Sequence, residues 1–388
     1  MMSTPARPRV ILHVGIPKTG TSALQVAFVR NRELLAEHGI IYPSDPGVPS
    51  MDARATRGGV TSGNASLLRA FLMPSKTPRG VSPEQALTTA VELIEKTGDG
   101  TSSLLFSSEF LCRSSLERFA TFAAACDDVG YDVEVVGHVR NVVGHAVSQY
   151  IQRLKRHRFT GSFADFVEPT EGDTYRPPMR SWVEGMGAVL GTSAVTVVHY
   201  DSLRNDLVRH FFEEYLQVPA DNLAPPLEHT VNRSLTPDEV RLMRQVNQRL
   251  NTATGSRLVS DLIIGEDPRV PQRPCVTKAD RDRVVELFSD EVDWINAAGI
   301  IGGKLELDSP SITIVDEAPD DTEITPSEQT LIDVVATQAN RAVSLNAKAK
   351  QDARQAKRAA ARKSAEQTAQ KKSVPVAPSR RRGLFRRK

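Results

Sequence analysis

The run RVILHVG, Arg9 to Gly15, is apolar and β-branched and closes on glycine, which predicts a buried strand entering a turn. SALQVAFVRNRELLAEHG follows with apolar residues at Leu24, Ala27, Phe28, Leu34 and Leu35 and stops at Gly39, the pattern of an amphipathic helix with a glycine C-cap. From Ser82, SPEQALTTAVELIEKTGDG predicts a second helix, with a serine N-cap, proline in the first turn and a closing glycine. TSSLLFSSE then reads as a strand, residues from about Ser114 to Ala125 as a helix, and YDVEVVGHVR as a further strand. NVVGHAVSQYIQRLKRHR continues as a basic helix, and TSAVTVVHYDSL, Thr192 to Leu203, as a strand ending at Asp201. Strands alternating with helices at these intervals predict an α/β fold, a parallel sheet flanked by helices on both faces. Ligands of such folds bind beyond the carboxyl ends of the strands. That rule selects the loop after Val14, Ser107 to Glu109, Arg140 onward, and Tyr200 to Ser202.

Other stretches carry weaker patterns. Residues 43–83 are rich in Pro, Gly, Ser and Thr around one apolar patch, Leu67 to Met73, and predict a long surface excursion of the kind that forms lids. After Asn232 the pattern is mainly helical, and LTPDEVRLMRQVNQRLN supplies Thr236 as cap, Pro237 at the first helical position and Glu239 at the capping-box position. ELDSPSITIVDEAPDDTEITPSE, residues 305–328, is acidic and proline-containing, which reads as a linker. A single helix from Gln329 to about Lys372 and the segment SVPVAPSRRRGLFRRK, read as disordered, follow it. The expected organisation is a body over 1–305, an acidic linker over 306–328 and a basic tail over 329–388.

Composition narrows this picture. With 388 residues, 40% hydrophobic and 25% charged, the chain can bury a sizeable core. The N-terminus MMSTPARPRV is short and polar, and no run of about 18 apolar residues occurs, so neither a secretory signal nor a membrane span is expected and a cytoplasmic location is the default. Cys112, Cys126 and Cys275 lack metal-ligand spacing and read as free thiols. The formal charge of +2 divides unevenly: residues 348–388 hold fifteen Lys/Arg against two Asp/Glu, a net +13, which leaves −11 for residues 1–347. Such a tail could meet an anionic surface or an acidic partner. It lacks the interleaved aromatics of a specific nucleic-acid site and reads first as solvated.

The chemistry concentrates in HVGIPKTGTSALQ, His13 to Gln25. A triphosphate loop reads G-x-x-x-x-G-K-[ST]. Here Gly15 and Gly20 keep the glycine spacing and Ser22 the hydroxyl, but Thr21 stands where the lysine belongs and Lys18 comes three positions early. PKTGT resembles the 5′-phosphosulfate loop of the sulfotransferases that use 3′-phosphoadenosine 5′-phosphosulfate (PAPS), whose fold is related to that of the P-loop nucleotide kinases. The family also binds the cofactor's 3′-phosphate with an arginine at a strand end and a serine eight positions later. VRNVVGHAVSQ supplies Arg140 and Ser148 at that spacing, with Asn141 between them. A guanidinium offers forked donors to phosphate, and a following helix adds its first N–H groups.

The resemblance, to bacterial sulfotransferase-like proteins, covers roughly residues 9–300. It implies PAPS as cofactor without a metal, with Pro17, Lys18, Thr19, Gly20, Thr21, Ser22, Arg140 and Ser148 as its binding residues. It implies in-line transfer of the sulfuryl group to a hydroxyl or amine of a glycan or other small acceptor, with Lys18 at the bridging oxygen. Glu109, at the end of SSE, would be the general base or else a cap or ion-pair residue, and His145 the substitute base. Asn232, Arg233 and Ser234 receive a supporting role. His13 and His138 read as core histidines, Asp201 as a strand-end turn residue, and Arg153, Lys155, Arg156 and Arg158 as a solvated helix face open to an anionic acceptor. Two other readings stand beside this one: a noncatalytic anion- or partner-binding module on the same scaffold, and a kinase-like nucleotide-binding protein, against which the missing lysine at position 21 argues.

Overall fold

Along β1 (Arg9–Gly15) every residue from Val10 onward is buried, and the alternation of side chains sends Val10, Leu12 and Val14 to one core and Ile11 to another. Burial on both faces is the signature of a central parallel strand. The computed structural model describes residues 7–46, 48, 50–59, 61–73, 81–168, 179–225, 233–266, 272–317 and 324–372. In chain order β1 is followed by α1 (Thr21–Arg30), α2 (Arg32–Glu37), β2 (Ile40–Ile41), α3 (Ser50–Thr56), α4 (Ser66–Leu72), α5 (Pro83–Gly98) and β3 (Ser103–Ser108). Next come α6 (Leu116–Asp128), β4 (Asp132–Val139), α7 (Val142–His157), α8 (Phe163–Val167), α9 (Met179–Leu190), β5 (Val195–His199) and α10 (Leu207–His210). The C-terminal part holds α11 (Pro237–Arg249), α12 (Ala253–Gly265), β6 (Cys275–Thr277), α13 (Lys278–Ala298), β7 (Thr313–Val315) and α14 (Pro326–Lys372).

Five parallel strands form the main sheet in the order β2-β3-β1-β4-β5. This is the expected α/β architecture, a parallel sheet flanked by helices. Connections from β1 lead to the β2–β3 side, whereas β4 leads to β5 on the other, so the order reverses between β1 and β4. A crevice opens at such a switch point, beyond the strand ends. One face of the sheet packs Leu24 and Phe28 of α1 and Leu35 of α2 with Phe211 and Phe212, and the other packs α5, α6, α7 and α9.

Several sequence signals act as read. Ser82 caps α5 in a capping box with Gln85, and Thr236 caps α11 in one with Glu239. The 43–83 excursion is more ordered than its composition suggests, because α4 within it buries Leu68, Phe71 and Leu72 beside α5. Residues 305–315, whose composition reads as the start of a linker, pack on the body: β7 pairs with β6, and the residues before it lie on the start of α7. No helix among the described residues is long and apolar enough to cross a membrane.

Three histidines are sealed in the interior: His13, His138 and His145 are at most 3% exposed. Burial holds His13 far below the usual imidazole value and pushes His138 and His145 down to about 3. The folded chain therefore keeps these rings neutral where the unfolded chain takes up protons, so their stabilisation is complete above pH 6.5 and is lost as pH falls toward 3. By pH 5, His138 and His145 should each have withdrawn roughly 2 kcal/mol. The urea midpoint at pH 5 should lie well below that at pH 7, and equal midpoints would contradict the assignment.

Candidate active site

The loop between β1 and α1 has an unusual backbone. Lys18 holds φ 74° and Gly20 φ 78°, two left-handed residues within three positions. Glycine tolerates this conformation, whereas a lysine there carries strain of about 1–2 kcal/mol. At Gly20 a side chain is also excluded by contact, since an added Cβ would sit 2.2 Å from Leu207 and 2.9 Å from Tyr200. Thr19 Oγ donates to Ile16 O at 2.6 Å and ties the loop to itself. Helix α1 starts at Thr21 with Gly20 as its cap residue, and no side chain caps its first N–H groups.

Helix α7 carries the other wall. His145 Nε2–H donates to Pro17 O at 2.9 Å, with Gln149 Nε2 reaching the same carbonyl at 3.4 Å. That commitment fixes the neutral tautomer of His145 and makes it a support beneath the loop. Lys18 Nζ donates to Gln152 Oε1 at 2.9 Å. Four-residue spacing puts Gly144, Ser148 and Gln152 on one face of α7, spanning about 12 Å. Arg140 stands at one end of that face, 3.5 Å from the Cβ position of Gly144, and Lys18 at the other. Ser148 lies half-buried between them.

Arg140 is 8% exposed and is shared among three groups. Its Nη1 donates to Lys18 O at 3.0 Å, its guanidinium lies 5.3 Å over the Tyr200 ring, and Nε approaches Asp201 Oδ1 at 3.5 Å. The structure thus brings Arg140 and the lysine loop together. Asp201 does more than turn the chain, since it also accepts from Asn141 N at 2.8 Å and from Ser309 Oγ at 3.1 Å.

The electrostatics are those of a recess with two carboxylates among its cations, Asp201 beside Arg140 and Glu109 near Lys18. Burial lowers Lys18 to about 8; Glu109 pulls it up, while Arg140 and Arg156 push it down. Burial raises Glu109, which the nearby Lys18 ammonium opposes. Lys155 departs from the solvated-face expectation: it is 2% exposed, donates to Arg233 O at 3.4 Å and is lowered to about 7, first by burial and then by Lys18. Arg156 is half-buried and pairs with Asp261. Arg233 binds Glu239 at 2.7 Å and the carbonyls of Ile263 and Glu266, joining α11 to the end of α12. Asn232 lies outside the described residues. His13 bonds Ser107 Oγ at 2.8 Å in the core, and Ser107 is also reached by Gln25.

Residues 305–311 cross the start of α7. Leu307 O accepts from Val143 N at 3.1 Å, Asp308 O from Asn141 Nδ2 at 2.8 Å, and Asn141 Oδ1 from Glu306 N at 3.2 Å. Ser309 rests directly on Gly144, where an added Cβ would lie 2.6 Å from its side chain. This crossing had no signal in the sequence, because most of its bonds use backbone carbonyls and amides.

The fold and site define an α/β protein with a phosphate-loop-like turn at the switch point of its sheet. Over 68% of its length the chain is similar to a sulfotransferase from Alicyclobacillus acidocaldarius, at 19% identity, 98% coverage of that chain and a TM-score of 0.35. It is also similar over 66% of its length to a structure from the PezAT chromosomal toxin–antitoxin system of Streptococcus pneumoniae, at 12% identity, 87% coverage and a TM-score of 0.28. No protein-family model matches the chain. No curated protein matches it either.

Proposed function

We propose that this chain is a PAPS-dependent sulfotransferase that transfers a sulfuryl group to a hydroxyl or amine of a glycan or other small metabolite. The observation that carries the reading is the α7 face bracketed by two cations, Arg140 at Gly144 and Lys18 at Gln152, with Ser148 between them. Thr21 Oγ in the loop is buried without a hydrogen-bond partner, and Arg140 Nε has only the Asp201 carboxylate at 3.5 Å. A buried hydroxyl left unpaired costs about 1–3 kcal/mol, which a ligand at the loop would relieve.

When bound, PAPS supplies the activated sulfuryl group and the adenosine 3′,5′-bisphosphate leaving group. Thr19 to Ser22 would hold its 5′-phosphate at the start of α1, Pro17 would set the loop, and Arg140 with Ser148 would hold its 3′-phosphate. Lys18 would offer positive charge to the leaving group. Glu109 takes the proton of the acceptor; burial raises its affinity for protons above that of an exposed carboxylate, the direction a base needs. His145 positions the loop through Pro17.

A second reading, a noncatalytic module, draws on the Asp201 carboxylate beside Arg140 and on the segment that covers Gly144. Thermal-shift titration tests the ligand first. Adenosine 3′,5′-bisphosphate at a hundredfold excess over its Kd should raise Tm by about 3–4 °C, and ATP with magnesium should raise it less. Equal shifts, or a larger one with ATP, would overturn the cofactor assignment and favour the kinase-like reading. Binding of the bisphosphate without label transfer from PAPS to any acceptor in a broad hydroxyl and amine panel would favour the module.

A further inference from the structure

Helix α14 is 47 residues long, about 70 Å, and its first third rests on the body. Ile332, Ala336 and Ala339 face α11 and α12 and are at most 5% exposed, and Asn340 Nδ2 donates to Arg249 O at 3.1 Å. The opposite face is apolar and open: Leu331 is 64% exposed, Val334 51%, Val335 40% and Leu345 59%. Among the described residues these are four of the nine large apolar side chains left exposed, and one helix carries all four. A stripe of this kind on a long helix normally meets another helix.

We infer that this face pairs with the same face of a second copy, in an antiparallel two-helix contact about a two-fold axis at Gln338. Leu331 and Leu345 lie seven residues either side of Gln338, and Val334 and Ala342 lie four either side. An antiparallel partner therefore sets Leu331 against Leu345, Val334 against Ala342, and Gln338 against itself, the isologous arrangement a closed dimer requires.

Charge selects the orientation. In this register Lys348 of one copy falls opposite Glu328, in the first turn of the other copy's helix, and the basic runs from Lys348 to Arg358 of the two copies leave in opposite directions. A parallel pair would set the two basic segments side by side, where like charges repel.

Sedimentation and light scattering on the full chain test the pairing. The wild type should run at twice the monomer mass at micromolar concentration and loosen in high salt. The doubly substituted Leu331→Glu, Leu345→Glu chain should keep its native circular dichroism, since both side chains are exposed, yet dissociate at least ~100-fold more readily. Gln338→Cys should cross-link to itself on mild oxidation, and Leu345→Cys alone should not. A monomeric wild type, a dimer indifferent to the double substitution, or self-cross-linking at Leu345→Cys would each overturn the proposal. So would a chain that associates only when duplex DNA or anionic vesicles are added.

Discussion

Replacing Lys18 by alanine should lower sulfuryl transfer by about 10²–10³-fold in kcat while the chain stays folded. In the proposed reaction the ammonium acts where charge develops on the leaving oxygen, so its loss should fall on the transition state more than on binding. Folding depends little on it. Lys18 is half-buried, makes one side-chain bond, to Gln152, and sits in a left-handed backbone that glycine adopts more easily. Lys18→Gly should accordingly be as stable as the wild type or more so, by about 1 kcal/mol from the released strain, and just as inactive. Steady-state transfer from labelled PAPS and thermal unfolding of the three proteins check both halves. Transfer within tenfold of wild type in either variant would remove Lys18 from the chemistry.

Glu109→Gln should reduce kcat by about 10²–10⁴-fold, the range for loss of a positioned general base. Its pH signature separates a base from a carboxylate that only caps or pairs. In the wild type, kcat/KM should rise with pH as Glu109 ionises, above the ordinary carboxylate range, and fall past about pH 8 as Lys18 loses its proton. The variant should lose the acid limb. Its alkaline limb should move to lower pH, because the Glu109 charge helps Lys18 stay protonated. Affinity for adenosine 3′,5′-bisphosphate should persist. A variant with near-normal kcat and an intact acid limb would assign Glu109 to structure.

How much of this was legible beforehand depends on what the residues signal locally. Gly15, Lys18, Gly20 and Ser22 mark the turn after β1 by their spacing, and Arg140 with Ser148 marks the junction of β4 and α7; the proposed anion positions rest on those two junctions. Helix α4 was hidden, since seven residues in a Pro- and Gly-rich stretch give too short a period to read. Helix α9, MRSWVEGMGAVL, was hidden by Gly185 and Gly187, although Leu116 packs against the first of them. Lys155 misled by type: in a run of basic residues it looks solvated, and only the packing of Ser260 and Arg233 around it reveals otherwise. Gln152 carries no charge to draw attention, and its partnership with Lys18 comes from the way α7 docks against the loop.

The crossing of residues 305–311 over Gly144 matters for anyone dissecting this protein. A shortened version ending at residue 305 would strip the covering from Asn141 and Val143 and remove the Ser309 hydroxyl from Asp201. Fragments meant to keep the surroundings of Arg140 intact must therefore run past Val315. A protease cut inside 305–311 that left adenosine bisphosphate affinity untouched would show that boundary to be too cautious.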